Sequence, residues 1–329
     1  MRIKVGIVSF AHIHVVSYAE ALKRIEGVEL VGIMEEDRIR GPKYSEWFET
    51  KLFTNINDLL MQDLDAVIVT SENVHHKEHV IASASAGKHV LCEKPISVSI
   101  QDAQEMIDIC KANQVLLQTA FPVRFNSSII RAKEMIENGQ LGKIIAVKGT
   151  NRGQCPGNWF VDVNKSGGGA VLDHTVHVTD ILRWILGAEV KTVYAEVDNV
   201  FTNNLIDDSG ILTMQFANGV FASLDCSWSR NATYPIWGDI TLEIIGSKGT
   251  LSVDAFNQKL NVYTNKSGYN HSFWGDDMDE QLLRDFINSI QAGKEEASIT
   301  GEDGLRALEV ALAAYESSND KAVITLKFH

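Results

Sequence analysis

Over the first ~120 residues, short apolar runs alternate with segments of helical period. IKVGIVSF at the start is strand-like, and residues 14–25 place Val15, Tyr18, Ala19 and Leu22 on one helical face. VELVGIM (28–34), residues 64–70, HVLCE (89–93) and VLLQTAF (115–121) read as further strands. HKEHVIASASAG, ended by Gly87, and residues 101–113 read as helices. Strands that alternate with helices predict βαβ units on a parallel sheet.

Beyond Phe121 the rhythm changes. A helix over 127–138 ends at Gly139, a strand spans 143–150, and a polar loop follows around Cys155-Pro156-Gly157. Gly167-Gly168-Gly169 introduces a helix over 170–186, closed by Gly187. Strand-like segments then cover 190–201, 209–217, 219–228, 239–245, 249–254 and 259–264, with turns at Asn218-Gly219 and Lys248-Gly249. Connections this short suit hairpins rather than parallel crossovers, so this sheet is expected to be largely antiparallel. Helices near 279–291 and 301–317 close the chain. The predicted fold class is α/β: an N-terminal Rossmann domain with a doubly wound parallel sheet, and a C-terminal α/β domain with a large, mostly antiparallel open sheet. A boundary near Ala120 divides it into 1–120 and 121–329.

Composition narrows the partners. Of 329 residues, 45% are hydrophobic and 22% charged, which is ordinary for a soluble two-domain chain. The net charge of −13 and the lack of a dense basic run argue against nucleic acid. Cys92, Cys110, Cys155 and Cys226 are scattered, as for reduced thiols in a cytoplasmic protein. No stretch approaches the roughly 20 apolar residues of a membrane span, so no membrane partner is expected.

A dinucleotide would sit at the first βα turn, where GxGxxG lets backbone amides approach its phosphates. Here Ser9, Ala11 and His14 occupy the glycine positions, with Phe10, His12 and Ile13 between and beside them. A nucleotide cradle and a plain strand-to-helix turn both remain open on this motif alone. Glu35 ends the second strand at the distance expected of the acidic residue that binds the adenosine ribose. A carboxylate there favours NAD, while Arg38 and Arg40 keep NADP open. GKHVLCEKP puts Lys94 at the C-terminal edge of the sheet, where ligands bind in open α/β folds. A lysine there can hold a substrate hydroxyl or shuttle a proton. In GGGAVLDHTVH, Asp173 and His177 are four apart and share a helix face, as a carboxylate that orients an acid/base imidazole would.

Together these segments resemble the glucose–fructose oxidoreductase / inositol dehydrogenase family (Gfo/Idh/MocA) over nearly the whole chain. The resemblance rests on the opening strand–turn–helix, Ser71-Glu72-Asn73 followed by His76, AGKHVLCEKP, GQLGKI at 139–144, GGG with Asp173 and His177, and IIGSKGTL at 244–251. It implies that Ser71, Asn73, His76, Glu93 and Lys94 join the turn in holding the cofactor. It also implies a nicotinamide stacked on the C-terminal sheet, and a substrate held by Lys94, Asp173 and His177. The chain departs from the family pattern at Ser9, Ala11 and His14, at Glu72 in place of a common proline, and at Thr175 in place of a common glycine.

The expected activity is hydride transfer between NAD(P) and a hydroxyl or carbonyl of a sugar, polyol or related polyhydroxylated molecule. Arg124, Asn151, Arg152, Asn158, Trp159 and Lys165 are further candidate substrate contacts. Two alternatives belong to the same fold: a non-catalytic sugar or dinucleotide sensor, and an NAD-dependent glycosidase or epimerase. His12-x-His14 would also suit a metal-dependent barrel hydrolase. That fold needs eight βα units, which the second half lacks, so no metal is expected. Alternating apolar residues over 211–228 predict a sheet whose outer face packs on another subunit, in a homodimer or homotetramer.

Overall fold

The structure, a computed structural model, describes residues 2–266, 268–273 and 275–327. Two compact units emerge, one of residues 1–122, 164–167 and 278–308, the other of 123–163, 168–277 and 309–329. A single cut near Ala120 therefore does not divide the chain.

The first unit runs β1 (Ile3–Val8), α1 (Val15–Arg24), β2 (Val28–Met34), α2 (Arg40–Phe48), β3 (Lys51–Phe53), α3 (Ile56–Leu60), β4 (Ala66–Val69), α4 (His76–Ser85), β5 (His89–Cys92), α5 (Ile100–Ala112) and β6 (Leu117–Thr119). The six strands form a sheet ordered β3-β2-β1-β4-β5-β6. Every pairing in it is parallel. Strands covered on both faces must be apolar throughout, and β4 reads AVIV with all four residues buried. The chain order reverses between β1 and β4, and this switch point opens the crevice in which such sheets bind ligands. The segment α2–β3–α3 is too short and polar to show a period. It is anchored through Phe10, whose ring stacks on Tyr44 of α2 at 4.6 Å.

The second unit holds α6 (Ser127–Glu137), β7 (Ile144–Thr150), the short α7 (Val163–Ser166, shared with the first unit) and α8 (Ala170–Leu186). It continues with β8 (Val190–Asp198), β9 (Ser209–Phe216), β10 (Phe221–Asp225), β11 (Thr241–Gly246), β12 (Thr250–Asp254) and the hairpin β13 (Lys259–Thr264) to β14 (Gly268–Phe273). Then come α9 (Met278–Gln291), α10 (Gly301–Asp320) and β15 (Ile324–Thr325). Helix α9 belongs to the first unit: Leu282, Leu283, Phe286 and Ile287 are buried, and Glu280 meets Arg24 of α1 at 2.9 Å.

Seven strands pair in the order β12-β11-β7-β10-β9-β8-β15. The sheet is antiparallel except at β10–β7. That pair is parallel because its members are not hairpin neighbours; α8, β8 and β9 separate them in the chain. Leu212, Met214, Phe216, Ala222, Leu224, Leu242 and Ile244 point from one face into a core shared with Val171, Val178, Ile181, Leu182 and Ile185 of α8. The opposite face keeps Tyr194, Ile211, Phe221 and Ile245 exposed.

Candidate functional site

In the first unit the candidate residues gather at the C-terminal ends of β1, β2, β4 and β5. Ser9 takes φ 70°, the left-handed backbone that a glycine would adopt without strain. Its neighbours stabilise that conformation. Ser9 Oγ accepts the Ala11 N–H at 3.2 Å and donates to Glu35 Oε2 at 3.3 Å, while Thr70 Oγ1 donates to the Ser9 carbonyl at 2.6 Å. The Phe10 N–H donates to Glu35 Oε2 at 2.7 Å, and the Asp37 N–H to Glu35 Oε1 at 3.0 Å. Arg40 closes on the same carboxylate, Nε to Oε2 at 2.7 Å and Nη2 to Oε1 at 3.0 Å. Burial opposes the charge on Glu35. The Arg40 hydrogen bonds and the two backbone donors overcome it and hold the carboxyl below its usual range. A carboxylate offers about four lone-pair sites, so donors of the chain itself occupy Glu35.

Glu93 is the second hub. Its side chain is inaccessible, and the Lys94 N–H donates to Oε2 at 3.0 Å. Oε1 lies 3.1 Å from His14 Nδ1 and 3.5 Å from His12 Nδ1. Burial opposes ionisation here too, yet the two imidazoles keep Glu93 well below the ordinary carboxylate range. For His14, burial lowers the pKa but the Glu93 charge and hydrogen bond outweigh it, so the ring titrates above its usual value. Tyr18 beside them is pushed well up, by burial first and then by Glu93. Ligand atoms of His12, His14 and Glu93 all lie within 4.8 Å of one another. Hydrogen bonds account for this cluster, since His12 Nδ1 also accepts the His14 N–H at 3.3 Å.

Lys94 follows β5 and is buried, its bond to Pro95 cis. The ring nitrogens of His76 lie 3.0 Å from the Pro95 carbonyl and 3.1 Å from that of Ser71, so one imidazole ties the two loops. Asn73 donates Nδ2 to the Ser166 carbonyl at 2.8 Å, and its buried Oδ1 has no partner among the described residues. The Ile13 amide at the start of α1 likewise makes no hydrogen bond among the described residues. A helix N-terminus with an available N–H beside a buried amide oxygen fits a dinucleotide. In the second unit, by contrast, the α8 N-terminus is filled by the protein. Asp207 accepts the Gly169 and Val171 N–H groups at 2.8 and 2.9 Å, and the Tyr315 hydroxyl accepts that of Leu172 at 3.1 Å. A Cβ at Gly168 would stand 2.6 Å from the Tyr315 hydroxyl, and one at Gly169 only 1.9 Å from the Asp207 carbonyl. The glycine run is thus a packing requirement.

Asp173 and His177 both lie on α8 and are largely buried, 8% and 5% exposed. The Asp173 carboxylate approaches His174 Nε2 at 3.4 Å, a neighbour the spacing argument passed over. Several proposed substrate contacts have partners within the protein. Arg124 pairs with buried Asp180, Nε to Oδ2 at 2.7 Å. Arg152 binds Asp239 at 3.2 Å through Nε, and Arg230 joins the same carboxylate. Asn151 donates to the Asp239 carbonyl at 3.1 Å. Trp159 is buried and stacked on Phe160 at 3.9 Å. Asn158 and Lys165 are exposed. Asp180, Asp207, Asp239 and Tyr315 were not anticipated. An aspartate on the apolar face of a helix, as Asp180 is, signals a buried cation partner.

Comparison with known proteins places this geometry. Residues 3–121 match an oxidoreductase family with an NAD-binding Rossmann fold, and residues 129–252 match the GFO/IDH/MocA C-terminal domain. The myo-inositol 2-dehydrogenase of Thermotoga maritima is 33% identical over 98% of this chain and 98% of its own. GenD2 from gentamicin A biosynthesis, solved with NAD, superposes with a TM-score of 0.91 at 23% identity, covering 99% of this chain and 97% of that one. The scyllo-inositol dehydrogenase of Lactobacillus casei, solved with NAD(H) and scyllo-inositol, superposes with a TM-score of 0.85 at 24% identity, covering 99% of each chain.

Proposed function

Because the chain belongs to the GFO/IDH/MocA family of NAD-binding oxidoreductases, we propose that it transfers a hydride between NAD and a hydroxyl-bearing carbon of a cyclic polyol or sugar. The observation that carries this is Lys94, buried after β5 at the ligand-binding edge of a dinucleotide-type sheet. The inositol dehydrogenase activity of the Thermotoga relative, identical at 33% of positions across almost the whole chain, supports the substrate class.

When bound, the nicotinamide supplies a hydride acceptor at C4. The chain supplies the rest. Loss of hydride leaves a hydroxyl proton, and of Lys94, Asp173 and His177 only an imidazole has an unperturbed pKa near neutrality. His177 therefore serves as the acid/base, and Lys94 binds and polarises the reacting oxygen. The Ile13 amide and the N-terminus of α1 hold the pyrophosphate, with Asn73 and Ser71 beside them. Glu35 acts on the ribose end through Arg40: three guanidinium N–H groups remain after the two spent on Glu35. Glu72 and Asp37 also act on Arg40. The local charge stays negative and disfavours a 2′-phosphate, so NAD is preferred over NADP.

The exposed outer face of the seven-stranded sheet, with Tyr194, Ile211, Phe221 and Ile245, supports packing against a second copy in a dimer or tetramer. The functional reading is tested by following NADH formation over a panel of inositols, hexoses and anhydrosugars. Activity on at least one is expected; activity confined to apolar alcohols or amino acids would overturn the class.

A further inference from the structure

His174 stands one residue from the proposed catalytic aspartate and is fully buried. The carbonyl of Cys226 lies 3.1 Å from Nδ1. A carbonyl only accepts, so Nδ1 carries a hydrogen. In a neutral ring, Nε2 would then present a lone pair, and it faces Asp173 Oδ2 at 3.4 Å. A lone pair against a carboxylate is repulsive. A proton between them removes the repulsion, and with unperturbed values near 6.5 for imidazole and 3.9 for Asp it resides on the ring. The ring is held firmly in that attitude. Trp237 and Trp228 meet it edge-on at 5.2 and 6.3 Å, and a Cβ at Gly153 would approach Cε1 to 2.8 Å.

We propose that His174 is a positioning residue for catalysis: as an imidazolium donating to the Cys226 carbonyl and paired with Asp173, it fixes the Asp173 carboxylate and cancels its charge beside His177. The inference rests on the functional reading above and extends it. Groups on the surrounding elements do not replace this role. On α8 the neighbours are Asp173 itself and His177. On the strand side, burial pushes the Cys226 thiol up to about 12, so it stays neutral, and the Asp225 carboxylate donates no proton. Past Gly153, the Arg152 charge is spent on Asp239, which Arg230 also holds. At the head of α8, Asp207 is committed to the Gly169 and Val171 N–H groups and to Tyr315.

The consequence is electrostatic. Asp173 lies one helical turn from His177. A bare carboxylate there would favour protonated His177, whereas a compensated one leaves it free to accept the substrate proton. The first test needs no turnover, so its result stands apart from the functional reading. NMR of protein labelled with 15N in histidine reads the charge and tautomer of the His174 ring at neutral pH. Both ring nitrogens should be protonated in the wild type, and only Nδ1 in Asp173→Asn. A neutral His174 ring in the wild type would overturn the proposal. The second test is the pH profile of kcat/KM in His174→Gln. The limb that reports the base should move up by about one pH unit. A uniform fall in rate with the limb unmoved would mean the ring only fills space, which also overturns the proposal. Absence of turnover in the wild type would instead sink the functional reading and leave the NMR result to decide this one.

Discussion

Arg40 grips Glu35 through two parallel hydrogen bonds, at 2.7 and 3.0 Å, while the Phe10 amide donates to the same carboxylate at 2.7 Å. The residue expected to meet the ribose thus also holds the turn beneath the pyrophosphate. Glu35→Gln removes a buried acceptor of charge-assisted bonds and should cost about 1–3 kcal/mol of stability. It should also narrow the preference for NAD over NADP. Calorimetry with both dinucleotides and thermal unfolding check the two effects; equal affinity of the wild type for NAD and NADP would contradict the assignment.

The Glu93–His14 pair predicts a pH window of stability. Glu93 is depressed from 4.5, so its contribution is present above that value and lost as pH falls through the folded pKa. His14 is raised from 6.5, so its contribution is complete below that value and lost as pH rises through its folded pKa. Both are fully present only between about pH 4.5 and 6.5. His14→Gln should remove the alkaline decline from the difference between variant and wild type in denaturant unfolding. A difference that stays constant from pH 5 to 9 would refute the coupling.

Arg124 and Asp180 form a buried ion pair. Arg124→Ala leaves an uncompensated carboxylate and should destabilise by about 3–5 kcal/mol, while the double variant Arg124→Ala with Asp180→Ala recovers part of that loss. If Arg124 instead bound substrate, Arg124→Ala would raise KM with stability unchanged.

Phe221 and Ile211 lie on the open sheet face, 57% and 59% exposed. Phe221→Asp should shift the sedimentation profile toward monomer while kcat/KM per site is retained at concentrations where the wild type is assembled. A wild type that sediments as a monomer in dilute runs would exclude the assembly.

Much of this was legible in the sequence, for reasons that can be named. β4 and β5 announced themselves as unbroken apolar runs, and Gly187 stopped α8 where its period ended. The α2–β3–α3 segment was not legible, because nine-, three- and five-residue elements carry too little period. The β13–β14 partner strand and the parallel β10–β7 pair were missed because register between distant segments leaves no local trace. Lys94, Asp173 and His177 were identified by spacing. The carboxylates that occupy Arg124, Arg152 and the glycine run were not, since Asp180, Asp239 and Asp207 lie 30 or more residues away in sequence. Ser9 shows the limit of motif reading: a serine takes the glycine conformation because Glu35 and Thr70 bind it there.

The central claim is that His177 moves the proton while NAD takes the hydride. Steady-state kinetics of His177→Ala on the best polyol substrate, with NAD affinity measured in parallel, tests it most directly. General acid–base groups typically contribute ~10²–10⁴-fold. The account predicts a fall in kcat of that size with the NAD dissociation constant nearly unchanged. A variant that keeps near-normal kcat, in an enzyme that Lys94→Arg abolishes, would contradict it and make the lysine the base.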